Sequence, residues 1–265
     1  MSRAPGPDKR FDLTGRVALV SGGGGAIGSA LAEALAGAGA RVALLGRTGA
    51  RLEAAAATIV ASGGEAITLV ADATDPAACE RAVGEVVGRF GRLDIAVNAV
   101  GGGAGEALHP AEAYPGTAWD WIFELNLLST LWPTQAAVRA MIEGGGGGRV
   151  LNISSVRAQL GIDAGYSAYV AAKGAVSALT RQWATEWARH GITVNAIAPT
   201  FVDTPQVASL LADPAFKAGV VGRIPLRRVG TTDDLVGAAL LFCSDAGAFI
   251  TGQVLTIDGG LTATQ

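Results

Sequence analysis

Histidine, cysteine, lysine and tyrosine are all scarce in this chain of 265 residues, with two His, two Cys, three Lys and three Tyr. Cys79 and Cys243 stand far apart, without metal or redox spacing, and neither His109 nor His190 has an acidic or thiol partner at ligand spacing. No metal site, disulfide framework or thiol redox centre is therefore expected. Both thiols read as small buried side chains in a reduced cytoplasm. His190 falls in what reads as the last turn of a helix, where a cation is favoured. Charge is sparse as well, with 16% charged residues, a net charge of −3 and no basic cluster. Nucleic acid and anionic membrane surfaces are thus not expected as partners. Every apolar run is broken by Gly, Arg or Asp well short of the length that spans a bilayer. No signal-peptide pattern is visible; residues 1–10 read as a loose polar tail, and residues 11–265 as one domain.

What the chain has in abundance is glycine, and its placement is informative. Arg16–Ser21 is a short apolar run of the buried parallel-strand kind, and it leads directly into the glycines Gly22–Gly25, then Ala26, Ile27 and Gly28. Ile27, Leu31 and Leu35 then recur at helical spacing. Strand, glycine turn, helix is the context in which backbone amides at a helix N-terminus hold a dinucleotide pyrophosphate. The second glycine run, Gly144–Gly148, has no strand before it and reads as a surface turn. Further strand-like runs cover Val42–Leu45, Ala66–Val70, Leu93–Val97, Arg149–Ile153, Thr193–Ile197 and Val254–Ile257. They alternate with helical stretches near Arg51–Ala61, Ala77–Phe90, Ala118–Ile142, Ala168–Arg189 and Asp233–Cys243. The alternation predicts an α/β fold, a single doubly wound Rossmann domain with a parallel seven-stranded sheet.

The second informative pattern is Tyr169-Val-Ala-Ala-Lys173. The basic residues are otherwise almost all arginine, so a lysine four residues after one of three tyrosines is notable. On a helix this spacing puts both side chains on one face. A cation beside a phenol lowers its pKa from about 10, which gives a proton donor and acceptor usable near neutral pH. An ordinary exposed helical pair is the alternative.

Together these patterns resemble the short-chain dehydrogenase/reductase family in its one-domain form, over nearly the whole chain from Phe11 to Leu261. The family's Thr-Gly-x-x-x-Gly-x-Gly motif falls on Ser21, Gly22, Ala26 and Gly28, with Ala26 replacing the usual glycine, and Gly24, Gly25 and Ile27 completing the loop. Its Asn-Asn-Ala-Gly motif appears as Asn98-Ala99-Val100-Gly101, with the second Asn lost. The catalytic set of the family maps onto Asn126, Ser155, Tyr169 and Lys173. Ser154 is an alternative for the serine, because Ser155 lies fourteen residues before Tyr169, one more than expected. Pro199 and Thr200 stand for the Pro-Gly after the sixth strand, with Val202 and Thr204 following; Asp72 and Ala73 match the adenine-contacting position. Asp72 also reads as a turn residue capping Thr74 and Asp75. The resemblance implies a homotetramer, in keeping with the low charge.

Dinucleotide sites selective for NAD carry an acid about 20 residues past the glycines, to accept from the ribose 2′-hydroxyl. Here Gly46 takes that place and Arg47 follows, which favours a 2′-phosphate and hence NADP(H), with NAD(H) as the alternative if Arg47 is only a solvated residue. The implied activity is NAD(P)-dependent hydride transfer between a nicotinamide and a secondary alcohol or ketone. Tyr169 moves the proton, Ser155 holds the substrate oxygen, and Lys173 lowers the tyrosine pKa and anchors the ribose. Asn126 orders a water next to Lys173, or else serves a helix kink. Asn98 contributes backbone geometry near the ribose. The small-molecule substrate is expected among Gly102–Leu108, Val156–Tyr166 and Thr200–Arg223, with Arg157, Gln159 and Tyr166 as candidate substrate contacts. Several segments, Phe123–Leu128 and Trp187–Pro199 among them, look similar to sugar-acid members, the gluconate 5-dehydrogenase and mannonate oxidoreductase types. A 3-oxoacyl-(acyl-carrier-protein) reductase is the alternative, with Arg223, Arg227 and Arg228 as a basic patch for the acidic carrier. A catalytically silent NADP-sensing protein is a third reading.

Overall fold

Strand β1, Val17–Ser21, is buried at all five positions, so both of its faces are covered. The period of two is visible in what each face touches. Ala18 and Val20 join one apolar layer with Leu31 and Leu35, while Val17 and Leu19 join the other with Val83, Val86 and Phe90. The computed structural model describes residues 8–103, 105 and 107–264. Of the expected N-terminal tail, residues 1–7 lie outside the described residues; Lys9–Phe11 form a 3₁₀ turn capped by Asp8.

The remaining elements follow in βα order. They are α1 (Ala26–Gly37), β2 (Arg41–Gly46), α2 (Gly49–Ala61), β3 (Glu65–Val70), α3 (Pro76–Phe90) and β4 (Ile95–Asn98). Then come α4 (Gly116–Phe123), α5 (Ser129–Gly144), β5 (Gly148–Ile153), α6 (Ser167–Trp187) and β6 (Ile192–Pro199). Last are α7 (Ala208–Leu211), α8 (Pro214–Arg223), α9 (Asp233–Cys243) and β7 (Val254–Ile257). The seven strands lie in the order β3-β2-β1-β4-β5-β6-β7, and every pairing is parallel. The expected doubly wound seven-stranded sheet is therefore what forms. Helices α1, α2 and α9 cover one face, and α3, α5 and α6 the other. Because β1 pairs with both β2 and β4, the winding reverses between β1 and β4. That opens a crevice at the carboxyl ends of the strands, the place where such folds bind ligands.

Three elements differ from the sequence expectation. β4 begins at Ile95, not Leu93, because Asp94 serves as a buried acceptor. Its carboxylate takes the Val17 amide (2.9 Å) and the Arg92 Nε (2.8 Å), tying the start of β4 to β1. The single helix expected over Ala118–Ile142 is divided by a π-helical stretch, Glu124–Leu128. There the wider turn frees carbonyls, and hydroxyls take them up, Ser129 on Leu125 O and Thr130 on Asn126 O. Helices α7 and α8 were not foreseen, although Asp213 caps α8 through the amides of Ala215 and Phe216, with Pro214 in the first turn. Among the described residues no helix is long and apolar enough to cross a membrane, and no cluster of His, Cys, Asp or Glu could hold a metal ion.

Candidate active site

The glycine loop closes tightly onto the end of β4. Gly22 has φ +77, and a Cβ there would lie 2.8 Å from the Ala99 backbone; a Cβ on Gly28 would overlap the Gly22 carbonyl. Only glycine lets the loop and α1 approach this closely. The N-terminus of α1 has no side-chain cap, and Gly25, Ala26, Ile27 and Gly28 line a cavity of about 460 Å³. First-turn amides without a cap, facing a cavity, suit an anion. Thr200, on the same cavity, buries its hydroxyl with no partner. These residues suit a dinucleotide: the α1 amides would hold its pyrophosphate, and Thr200 would take a carboxamide or ribose hydroxyl. Ala99, Pro199 and Val202 line the same cavity.

Other residues expected near a dinucleotide lie around this cavity rather than on it. Ser21 and Ala73 are buried, and the Ser21 hydroxyl has no partner. Gly24 packs on α2, where a Cβ would meet the Arg51 Cβ at 3.0 Å. Thr204 is half-buried and accepts from the Val207 amide through its carbonyl. Arg47 is exposed at the end of β2, its Nη1 3.9 Å from Asp72 Oδ2. The other Asp72 oxygen accepts from the Thr74 amide and hydroxyl, so Asp72 does cap that turn. An exposed pair at this distance is weak and leaves Arg47 free to move to a better anion. Asn98 ends β4. Its side chain is 1% exposed and donates to Thr134 Oγ1 (2.8 Å) and Asn152 Oδ1 (2.9 Å), and Asn152 donates on to Thr180. It joins β4 to β5 and α5, turned away from the cavity.

The proton-handling groups come together from three elements. Ser155 follows β5, and Tyr169 and Lys173 sit one turn apart on α6; all three line the cavity. Ser155, not Ser154, faces the phenol, and its hydroxyl opposes the rise that burial imposes on the Tyr169 pKa. Ser154 is engaged with Ser177 Oγ (2.7 Å) and the Lys173 carbonyl. The π stretch aims Asn126 at the loop after β4, where its amide accepts from Gly102 N (2.9 Å) and donates to Gly102 O and Ile122 O. Glycine at 101 makes room for this, since a Cβ there would lie 2.9 Å from Lys173 Nζ and 3.0 Å from Asn126 Oδ1.

The electrostatics correct one expectation. Lys173 does not bring the phenol down in the protein alone. Burial pushes Tyr169 above its ordinary 10.0, with Tyr166 adding to the rise and Ser155 and Arg157 opposing it. Burial also drives the Lys173 ammonium down, to about 8. Its Nζ lies 6.0 Å from the Tyr169 ring centroid and donates to Ile153 O at 2.8 Å. Desolvation acts against both charged forms and outweighs their attraction.

Of the candidate substrate contacts, Arg157 and Tyr166 line the cavity. Gln159 does not: the 3₁₀ turn Val156–Ala158 ends there and leaves its side chain exposed. Arg157 is 9% exposed, and its guanidinium donates to Gly161 O at 3.3 Å. Among the described residues no carboxylate pairs with it. Burial and the nearby Arg223 charge lower its pKa. The cavity residues that sequence reasoning did not single out include Phe201, Gln206 and Leu210. Phe201 meets Phe216 of α8 edge to face, with ring centroids 5.9 Å apart. A contact made across fifteen residues leaves no local signal.

Comparison with known proteins agrees with this geometry. Residues 24–262 match the family model described as enoyl-(acyl carrier protein) reductase. The chain is 38% identical to the gluconate 5-dehydrogenase of Gluconobacter oxydans, over 96% of this chain and 97% of that protein. It is 34% identical to the 5-keto-D-gluconate 5-reductase of Escherichia coli K12, over 95% and 97%. A crystal structure of a gluconate 5-dehydrogenase from Burkholderia cenocepacia, in complex with NADP and tartrate, superposes with a TM-score of 0.89 at 35% identity, covering 97% of this chain and 99% of that one. With its sheet order, glycine loop and Ser-Tyr-Lys cluster in place, the chain is an oxidoreductase and belongs to the short-chain dehydrogenase/reductase family.

Proposed function

We propose that the protein is an NADP(H)-dependent dehydrogenase that interconverts a secondary alcohol and a ketone on a sugar acid or a related polyol. The observation that carries this reading is Arg157, a buried cation with one carbonyl contact and no counter-ion among the described residues, on the cavity shared by Ser155 and Tyr169. Such a group is costly unless a ligand anion completes it. A substrate carboxylate does so with a charge-assisted hydrogen bond. The names of the relatives, which act on gluconate and its 5-keto form, support the same class.

When bound, the nicotinamide supplies or accepts the hydride at the substrate carbon. The chain's own residues handle the oxygen. Tyr169 Oη donates its proton in the reductive direction and takes it in the oxidative one. The Ser155 hydroxyl holds the same oxygen beside the phenol. Lys173 anchors the ribose, and Asn126 fixes the Gly101–Gly102 backbone beside it. A homotetramer is part of this proposal, supported by the low charge and by fully exposed Phe249, with Leu255 and Ile142 also exposed.

Two measurements test it. Arg157→Ala should raise KM for a sugar acid by about 10- to 100-fold and leave an uncharged ketone nearly unchanged, since a charge-assisted hydrogen bond contributes roughly 1.5–3 kcal/mol. Equal losses on both substrates would remove Arg157 as the carboxylate anchor. Arg47→Asp should weaken NADPH binding and narrow or reverse the preference over NADH, read as dissociation constants by fluorescence titration. Equal wild-type affinities for NADPH and NADH would make Arg47 a bystander. The acyl-carrier alternative has less behind it: Arg228 is held by Asp234 through two 2.6 Å contacts, Arg227 by the Gly222 carbonyl and Arg223 by the Gly219 carbonyl, so all three patch arginines are engaged internally.

A further inference from the structure

The loop after β4 is held from one side and covered from the other. Asn126 holds both backbone groups of Gly102, its N–H at 2.9 Å and its carbonyl at 3.0 Å. On the Cα side lies Gln206, in the turn between Val202 and α7. Gly102 has φ +131, and a Cβ there would overlap Gln206 Nε2 and come within 2.7 Å of Cδ and 2.8 Å of Oε1. The nitrogen of the amide thus sits against Gly102 where any side chain would push it away.

Resting there, the amide is not used by the protein. Among the described residues the Gln206 side chain makes no hydrogen bond, although it carries two N–H donors and a carbonyl acceptor. It lines the same cavity as Ser155, Arg157 and Tyr169, while its neighbours Val207 and Leu210 give that wall apolar surface. An unpaired amide at an exposed position is satisfied by water when the site is open. A ligand that excludes this water must replace its hydrogen bonds or leave buried polar atoms bare.

We propose that Gln206 is a specificity-determining residue, seated on Gly102, whose amide binds a hydroxyl of the substrate chain and so selects a polyhydroxylated acid over a bare keto acid. This rests on the sugar-acid reading above and adds the group that recognises the sugar part. Arg157 reads the charge; Gln206 reads the hydroxyls. The discrimination is asymmetric in the usual way: a site built to hydrogen-bond a hydroxyl rejects the analogue that lacks it.

The test compares two substrates, a six-carbon keto aldonic acid and the straight-chain keto acid of the same length without its hydroxyls. Gln206→Leu keeps the bulk over Gly102 and removes only the hydrogen-bonding atoms, and the position is exposed enough that folding is not at stake. The expected result is a KM for the hydroxylated acid raised about tenfold, with the bare acid unchanged, so that the ratio of kcat/KM values falls about tenfold. Tm and the NADPH dissociation constant should stay at wild-type values. Gln206→Ala should shift the ratio in the same direction. An unchanged ratio in both variants, with Arg157→Ala still selective for charge, overturns the Gln206 assignment and leaves the sugar-acid reading standing. Equal loss on both acids with a lowered Tm makes Gln206 a packing residue and overturns it too. Wild-type protein that turns over neither acid overturns both readings.

Discussion

Tyr169→Phe should lower single-turnover hydride transfer by about 10²–10⁴-fold, the range ascribed to a positioned general acid, while the NADPH dissociation constant stays within about twofold of wild type. Apart from Tyr166, a second phenol whose ring centroid lies 6.3 Å from that of Tyr169, no described group on the cavity is suited to take over the proton. Among the described residues its lining includes no carboxylate and no imidazole. Ser155 is an alcohol, and Lys173 already donates to Ile153 O at 2.8 Å. Burial holds the phenol above its ordinary value of 10.0, so at neutral pH it is protonated, ready for the reductive direction. Reduction by the wild type should therefore be flat through neutrality and fall only at strongly alkaline pH. Oxidation, which needs the proton removed, should rise with pH over that range. The variant should keep its stability, because the ring's apolar neighbours Ala107, Ile122, Ala168 and Ala172 are equally served by Phe. Substantial turnover in a stopped-flow trace of the variant would sink the assignment.

What could be read from the sequence is what short-range physics decides. Helix α3 is set out by three neighbours in sequence: Asp75 caps it through the Ala77 and Ala78 amides, Pro76 opens it, and Gly91 closes it at φ +79. The glycine loop and the Tyr169–Lys173 spacing were equally local. The misses all depend on partners far along the chain. The π stretch forms where Asn126 reaches Gly102, 24 residues away, and nothing between them announces it. Asp94 reads as the polar start of a strand until its carboxylate meets the Val17 amide, 77 residues earlier. Asn98 ends β4, and the partner of its amide, Asn152, lies 54 residues later, so its role in joining the strands is not visible locally. The Tyr169 pKa failed for a related reason. Spacing on a helix shows that a cation is near, but burial is set by the whole surround, and here burial dominates both members of the pair.

Lys173→Met should make the cofactor-free protein more stable at pH 7 even as it removes at least about 99% of turnover. The lysine is 3% exposed, and among the described residues no carboxylate pairs with its ammonium. Burial takes its pKa from 10.5 to about 8, which corresponds to roughly 3 kcal/mol of destabilisation while the group is charged in both folded and unfolded chains. Methionine fills a similar volume with no charge to desolvate. It also strands the Ile153 carbonyl, at a cost of about 1 kcal/mol, which leaves a net gain of about 2 kcal/mol. The pH dependence fixes the sign. Below about pH 8 both states of the wild type hold the proton, and the folded state carries the full penalty. Between about 8 and 10.5 the folded state has released the proton and the unfolded chain has not, so wild-type stability rises and the advantage of methionine shrinks. Urea unfolding at pH 7 and at an alkaline pH near 9.5 should thus show a gap that nearly closes. A variant less stable than wild type at pH 7, or a gap that does not change with pH, would mean that Lys173 is not held at a penalty. A gap that does close identifies a residue that costs the fold stability and is kept for what it does beside Tyr169.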